Sequence, residues 1–227
     1  MRRATTMAFA PRMHVYPGGR VDESDYAAPI DFVCPPARVE DLAVRASTDV
    51  AGLIALYSCA LREIEEETGI TLLPVGDGGR TQVDPLQLPI VDHWVTPELE
   101  TKRYDVRFFV AALPVGQDAQ LTTTEADTAF WIRPIDALAQ RTTGDMAMLP
   151  PTESTLRYLT RFAAAAEVVA DAGVRDVVPL LPRRLVDDDG QARWVMVHDR
   201  TGEILDDDIA APHTRETDGL SFPEHLA

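Results

Sequence analysis

The chain has 227 residues, 45% hydrophobic and 26% charged, with 21 basic against 37 acidic side chains and a net charge of −16. These proportions describe a globular chain long enough for a full core, organised as one domain with an extension or as two small domains. The acidic excess argues against a general nucleic-acid or anionic-membrane surface, but it admits a phosphorylated small molecule, because a bound metal reverses the field locally.

Met1-Arg2-Arg3 is basic, yet no apolar segment of signal-peptide type follows, and no stretch reaches the roughly 18 apolar residues of a membrane-spanning helix. Met13 to Tyr16 reads as a short strand. Pro17-Gly18-Gly19-Arg20-Val21-Asp22 is a turn whose adjacent glycines let the backbone approach a ligand or ion closely. Asp25 follows. The segment from Tyr26 to Leu61 contains Pro29, Cys34-Pro35-Pro36 and a charged stretch, and its first part reads as an excursion from the surface, since closure entropy grows slowly with loop length.

A helix is expected from Asp49 to Thr68, with Asp49 as N-cap and Gly69 as terminator. Leu53, Leu56, Tyr57, Ala60 and Ile64 form its apolar stripe. Glu63, Glu66 and Glu67 share one arc of its last turns, whereas Glu65 points elsewhere. Three crowded carboxylates repel one another, and the C-terminal dipole disfavours them further. A hard divalent cation, Mg²⁺ or Mn²⁺, would relieve the repulsion. A plain solvated acidic helix end is the competing reading. Cys34 and Cys59 are too few for a disulfide scaffold or a cysteine zinc site, and they suggest a reducing, cytoplasmic setting.

Beyond Ile70 a Gly-rich hydrophilic link runs to about Arg80. Short strands are expected within Leu86–Val95, across Arg103–Leu113, and at Phe130-Trp131-Ile132. A short helix follows Pro134, over Ile135–Gln140. A second long helix is expected from Glu153 to Ala172, capped by Thr152 and ended by Gly173, with Leu156, Leu159, Phe162, Ala166 and Val169 on its apolar face. Asp187-Asp188-Asp189-Gly190 reads as a hairpin turn rather than a calcium loop. Arg193–His198 alternates like a strand, and the tail from about Asp206 reads as loose. The five histidines (His14, His93, His198, His213 and His225) show no ligand spacing.

Gly19, Asp25 and the run Arg62-Glu63-Ile64-Glu65-Glu66-Glu67-Thr68-Gly69-Ile70 together resemble the Nudix hydrolase signature, G-x5-E-x7-R-E-U-x-E-E-x-G-U with U aliphatic. The second half matches throughout, and Asp25 stands where Glu is usual. The halves lie about 29 residues further apart than the pattern has them. Such a split signature, preceded by MAFAPRMHVYPGGRVD, resembles the branch that includes peroxisomal coenzyme A diphosphatases.

This resemblance covers roughly residues 2 to 160. It implies an α/β/α sandwich with a mixed central sheet over residues 1–173, including the 26–61 insertion, and a C-terminal extension over 174–227. It also implies metal binding by Glu63, Glu66, Glu67 and the Gly18 carbonyl. Glu63 or Glu125 would act as base, with Asp127 competing for the loop role, Arg62 would orient the glutamates, and Arg20 would contact phosphate or stand solvated.

The implied reaction is hydrolysis of a phosphoanhydride in a nucleoside diphosphate linked to another moiety, coenzyme A or acyl-CoA among the substrates. The alternative is a Nudix-fold binding or regulatory module without turnover. The partner is a small-molecule nucleotide, with neither nucleic acid nor membrane. The family's fold has a further strand before the glycine turn, so the sheet is expected to be incomplete as numbered, with translation beginning upstream as the favoured resolution, or with the strand supplied by the 193–198 segment or by a partner such as a second copy in a homodimer.

Overall fold

The computed structural model describes residues 1–7, 9–76, 78–97, 100, 102–186 and 192–206. The chain divides into two units, Met1–His93 with Arg107–Val178, and Trp94–Val106 with Pro179–Ala227. In chain order the elements are β1 (Arg2–Arg3), a 3-10 turn (Glu23–Ala27), β2 (Ile30–Phe32), α1 (Pro36–Arg45), α2 (Val50–Thr68), β3 (Thr81–Val83), β4 (Ile90–Val95), β5 (Asp105–Phe109), β6 (Ala126–Thr128), α3 (Pro134–Thr143), α4 (Pro150–Leu159), α5 (Ala165–Val174), β7 (Pro179–Val186), β8 (Ala192–His198) and β9 (Ile204–Asp206). The architecture is α/β, with parallel and antiparallel pairings both present.

The first unit is built around α2. The Asp49 carboxylate accepts the Gly52 N–H at 2.7 Å, and Gly69 ends the helix at φ 69°, the left-handed geometry that glycine adopts without strain. Leu53 and Tyr57 are fully buried with Ile30, Ala43, Ala46, Val83 and Leu88. The Tyr57 ring meets Phe32 at 5.2 Å and Phe109 at 5.0 Å, both edge-to-face, the arrangement that ring quadrupoles favour.

The segment expected to be a surface excursion is part of this core. β2 pairs in parallel with β3, Ile30 opposite Thr81 and Phe32 opposite Val83. Helix α1 starts on Pro36, whose missing N–H costs nothing at a first-turn position, and it packs Val39, Leu42 and Ala43 into the same cluster as α2. Pro35 and Pro36, which suggested a loop, form the start of α1, and Val39, Leu42, Ala43 and Ala46 fold the segment against α2.

Met13–Tyr16 is not a full strand. His14 forms isolated bridges with Arg2 and Met148, while the Arg3 N–H reaches the Met13 carbonyl and the Val15 N–H the Met1 carbonyl, both at 2.9 Å. On its other side β1 pairs antiparallel with β6. Phe130-Trp131-Ile132 is not a strand either. The ladder falls earlier, at Ala126–Thr128, and Trp131 stands 64% exposed with its Nε1–H on Asp118. The expected Arg103–Leu113 strand is confined to β5.

The helix after Pro134 forms as α3, longer than expected. The long helix after Thr152 is broken into α4 and α5. The Glu167 carboxylate accepts the Ala163 N–H at 2.9 Å, just before α5, and the Tyr158 hydroxyl bonds Asp171 at 2.7 Å across the bend. Both bonds span the break, which the continuous apolar periodicity does not announce.

In the second unit, β7, β8 and β9 form an antiparallel meander with Leu181 opposite Val197. Leu181, Val195 and Val197 are buried with Val95 and Leu185. The Asp187–Gly190 turn and the tail beyond Asp206 lie outside the described residues.

Candidate active site

The last two turns of α2 carry the carboxylates, and the Pro17–Asp22 turn packs against them. The Glu67 carboxylate is only 9% exposed and accepts the Gly18 N–H at 2.7 Å. Gly19 lies so close to Glu63 that any Cβ there would land on the Glu63 carboxylate. The double glycine thus serves the glutamates, one residue by its N–H and the other by having no side chain.

Arg62 ties these parts together. Its guanidinium donates to Glu63 Oε1 at 2.6 Å, Glu66 Oε2 at 3.3 Å, the Arg20 carbonyl at 3.0 Å and Asp25 Oδ2 at 2.9 Å. Asp25 is 2% exposed and also accepts from the Asp22 N–H and the Ser58 hydroxyl, each at 2.8 Å. Burial opposes its charge, yet the bonds from Arg62, Asp22 and Ser58 prevail and hold its carboxyl below the usual carboxylate range. Asp25 and Glu63 in turn raise the already high pKa of Arg62 further, against the effect of burial.

Glu67 moves the other way. Burial raises its pKa, the Gly18 N–H counteracts, and the neighbouring charges of Glu63 and Glu125 raise it again, with Arg3 opposing. The charge of Glu125 is thus felt at Glu67. The loop carrying it is docked on the end of α2: the Gln120 N–H reaches the Thr68 carbonyl at 2.9 Å, the Thr122 N–H the Glu67 carbonyl at 3.2 Å, and the Thr122 hydroxyl the Glu66 carbonyl. Carbonyls left over at a helix end are so satisfied by the loop. The Ala4 N–H holds the Glu125 carbonyl at 2.8 Å.

Glu66 is 61% exposed and reaches only toward Arg62 among the bonds described here. Glu65 is set apart, bonded to the Thr71 hydroxyl. The Arg20 side chain is exposed, and its backbone carbonyl is what the site uses. Asp127 is engaged by Arg2 at 2.8 Å rather than turned to the carboxylates.

Among the described residues, no three His, Cys, Asp or Glu side chains gather closely enough to hold a metal ion. Glu63 and Glu66 are turned onto Arg62, and Glu67 onto Gly18. The donor chemistry nonetheless suits a hard cation: all-oxygen, anionic, and destabilised by mutual repulsion around Glu67. Ser58 and the role of Asp25 were absent from the sequence reading. The available signal was helical spacing, since Ser58 lies four residues before Arg62 and so shares its face.

No family model matches the chain. The acyl-coenzyme A diphosphatase NUDT19 of Gallus gallus is 26% identical over 230 aligned positions, 72% of this chain and 61% of that protein, so the chain spans about three-fifths of that relative's length. A crystal structure of a Nudix hydrolase from Alicyclobacillus acidocaldarius matches with a TM-score of 0.58 and 25% identity, over 74% of this chain and 85% of that one. In motif, in sequence and in fold, the chain resembles the Nudix hydrolase superfamily and, within it, acyl-coenzyme A diphosphatases.

Proposed function

We propose that the chain hydrolyses a phosphoanhydride in a nucleoside diphosphate linked to another moiety, with coenzyme A or acyl-CoA as the first substrates to try. The observation that carries this reading is the packing of the glycine turn on the end of α2, where the Gly18 N–H holds Glu67 and Gly19 leaves room for Glu63. Glu63, Glu66 and Glu67 would hold Mg²⁺ or Mn²⁺, helped by the Gly18 carbonyl. Such an ion would neutralise the diphosphate and lower the pKa of a bound water. Arg62 positions Glu63 and Glu66, Asp25 and Ser58 position Arg62, and Glu63 or Glu125 accepts the proton of the attacking water. The small-molecule nucleotide is the partner of this reading, a reducing cytoplasmic compartment its setting, and a homodimer its assembly to be checked by light scattering.

A second reading is a nucleotide-binding module with weak turnover. It is favoured by the hold of Arg62 on two of the glutamates, which an arriving metal has to loosen. Incubating the purified chain with coenzyme A, ADP-ribose, NADH and diadenosine polyphosphates, with Mg²⁺, Mn²⁺ or EDTA, and reading products by mass, separates the two. Metal-dependent 3′,5′-ADP and a phosphopantetheine product support hydrolysis of coenzyme A. Saturable binding without products for any of the panel supports the module.

A further inference from the structure

A cavity of about 350 Å³ lies in the first unit between α1, the segment 84–90 and the end of α5, within the size range of small-ligand sites. Its floor includes Leu53 and Tyr57, on the half of α2 remote from the glutamates; Glu63 is about 9 Å further along the helix axis. Most of its wall is apolar, as at Leu42, Leu86 and Ile90. Its charged lining is different: Arg38, Arg45 and Arg175 against a single carboxylate, Asp84. Three arginines lining one apolar hollow are conspicuous in a chain of net charge −16.

The arginines are unequally committed, and Arg45 also donates to the Arg175 carbonyl at 2.5 Å. Arg38 pairs with Asp41 at 2.6 Å and Arg45 with Asp176 at 2.9 Å, and both acids are exposed, Asp176 by 86%. Exposed pairs of this kind contribute little, so an anion entering the cavity can replace them. Arg175 is steadied by stacking over the Tyr158 ring at 4.4 Å. The insertion supplies Cys34, Arg38, Leu42 and Arg45, so without it the cavity would lack one wall.

We propose that this cavity is a second ligand site, built by the insertion, for a small amphipathic carboxylate whose aliphatic body fills the apolar hollow while its anionic end meets Arg38 and its neighbouring arginines. The proposal stands apart from the reading of the glutamate site and survives or fails without it.

Cys34 reports on occupancy because it lines the cavity. Cys59 is buried and its thiol is pushed up to about 11, so a maleimide reacts with it slowly. The experiment titrates the full chain with octanoate, reading N-ethylmaleimide modification of Cys34 by peptide mass and binding heat by calorimetry. Octan-1-ol is the uncharged control. Arg38→Gln removes one guanidinium, and Arg133→Gln, at the exposed residue just before α3, controls for loss of a positive charge elsewhere. Octanoate should protect Cys34 saturably. Octan-1-ol should bind about tenfold more weakly, and Arg38→Gln should weaken octanoate by about tenfold, the size of one lost charge-assisted hydrogen bond. Arg38→Gln should leave octan-1-ol unchanged, and Arg133→Gln should leave both ligands unchanged. Absence of saturable protection would overturn the proposal. So would equal affinity for octanoate and octan-1-ol in wild type, or an octanoate affinity that Arg38→Gln does not alter.

Discussion

Glu66 and Asp25 make opposite demands on the same arginine. Glu66 is exposed and bonded only to Arg62 among its described contacts, so Glu66→Gln should change the melting temperature by no more than about 2 °C, in line with exposed substitutions. If the proposed function holds, the same variant should lose metal-dependent turnover by two orders of magnitude or more, measured as product formed per minute at saturating Mn²⁺ (order-of-magnitude estimate for loss of a ligand charge). Asp25 is buried, so Asp25→Asn leaves Arg62 short of a charged partner and should destabilise by about 1–3 kcal/mol at neutral pH. The folded pKa of Asp25 is depressed, so its contribution is present above the ordinary carboxylate pKa and is lost as pH falls through the lower folded value. Melting curves of wild type and Asp25→Asn should therefore converge in acid and separate near neutrality. A gap that stays constant with pH would contradict the assignment. At this scale helical spacing puts Glu63, Glu66 and Glu67 on one face of α2, but it does not show that Glu63 and Glu66 turn onto Arg62 and Glu67 onto Gly18. The sequence was silent about Asp25 as anchor and Ser58 as its support, because the two elements they join are separated by the insertion.

Elements were legible where a single local rule governed them. Asp49 and Gly69 bound α2 because a carboxylate cap and a left-handed glycine are properties of a few adjacent residues. They were illegible where a distant partner decided the outcome. β6 forms at Ala126–Thr128 because Arg2 and Arg3 pair with it, and no pattern inside 126–132 announces that. The bend between α4 and α5 depends on Tyr158 meeting Asp171. The insertion is the largest case, since its burial requires both β3 and α2. Replacing Pro36–Arg45 by a flexible linker exposes Leu53 and Tyr57 and should lower the melting temperature by more than about 10 °C, given that burial of a few large side chains amounts to several kcal/mol. A variant with unchanged melting but altered kinetics would return the segment to the role of a surface loop. Tyr57→Ala, which removes the ring between Phe32 and Phe109, should cost about 3–5 kcal/mol in urea unfolding.

For the whole molecule, an acidic chain with clustered carboxylates should gain stability from the cation it is proposed to bind. A ligand that binds only the folded state stabilises it by about 2.7 kcal/mol at one hundred times its dissociation constant. Mn²⁺ should therefore raise the melting temperature by several degrees, Glu66→Gln should reduce that rise, and EDTA should abolish it. An equal rise from NaCl at matched ionic strength would show screening of the −16 net charge instead.

The clasp between residues 120–122 and the end of α2 has a kinetic consequence. The amides of Gln120 and Thr122 are tied to the carbonyls of Thr68 and Glu67, and Glu125 follows three residues on. Deuterium can enter those two amides only when the clasp releases. Their exchange rates therefore act as a clock for how often the 120–122 segment lets go of α2. If Thr122→Val speeds exchange at Gln120 while leaving the amides of Leu53 and Tyr57 slow, the loop opens as a unit of its own, and turnover can be compared directly with the opening frequency.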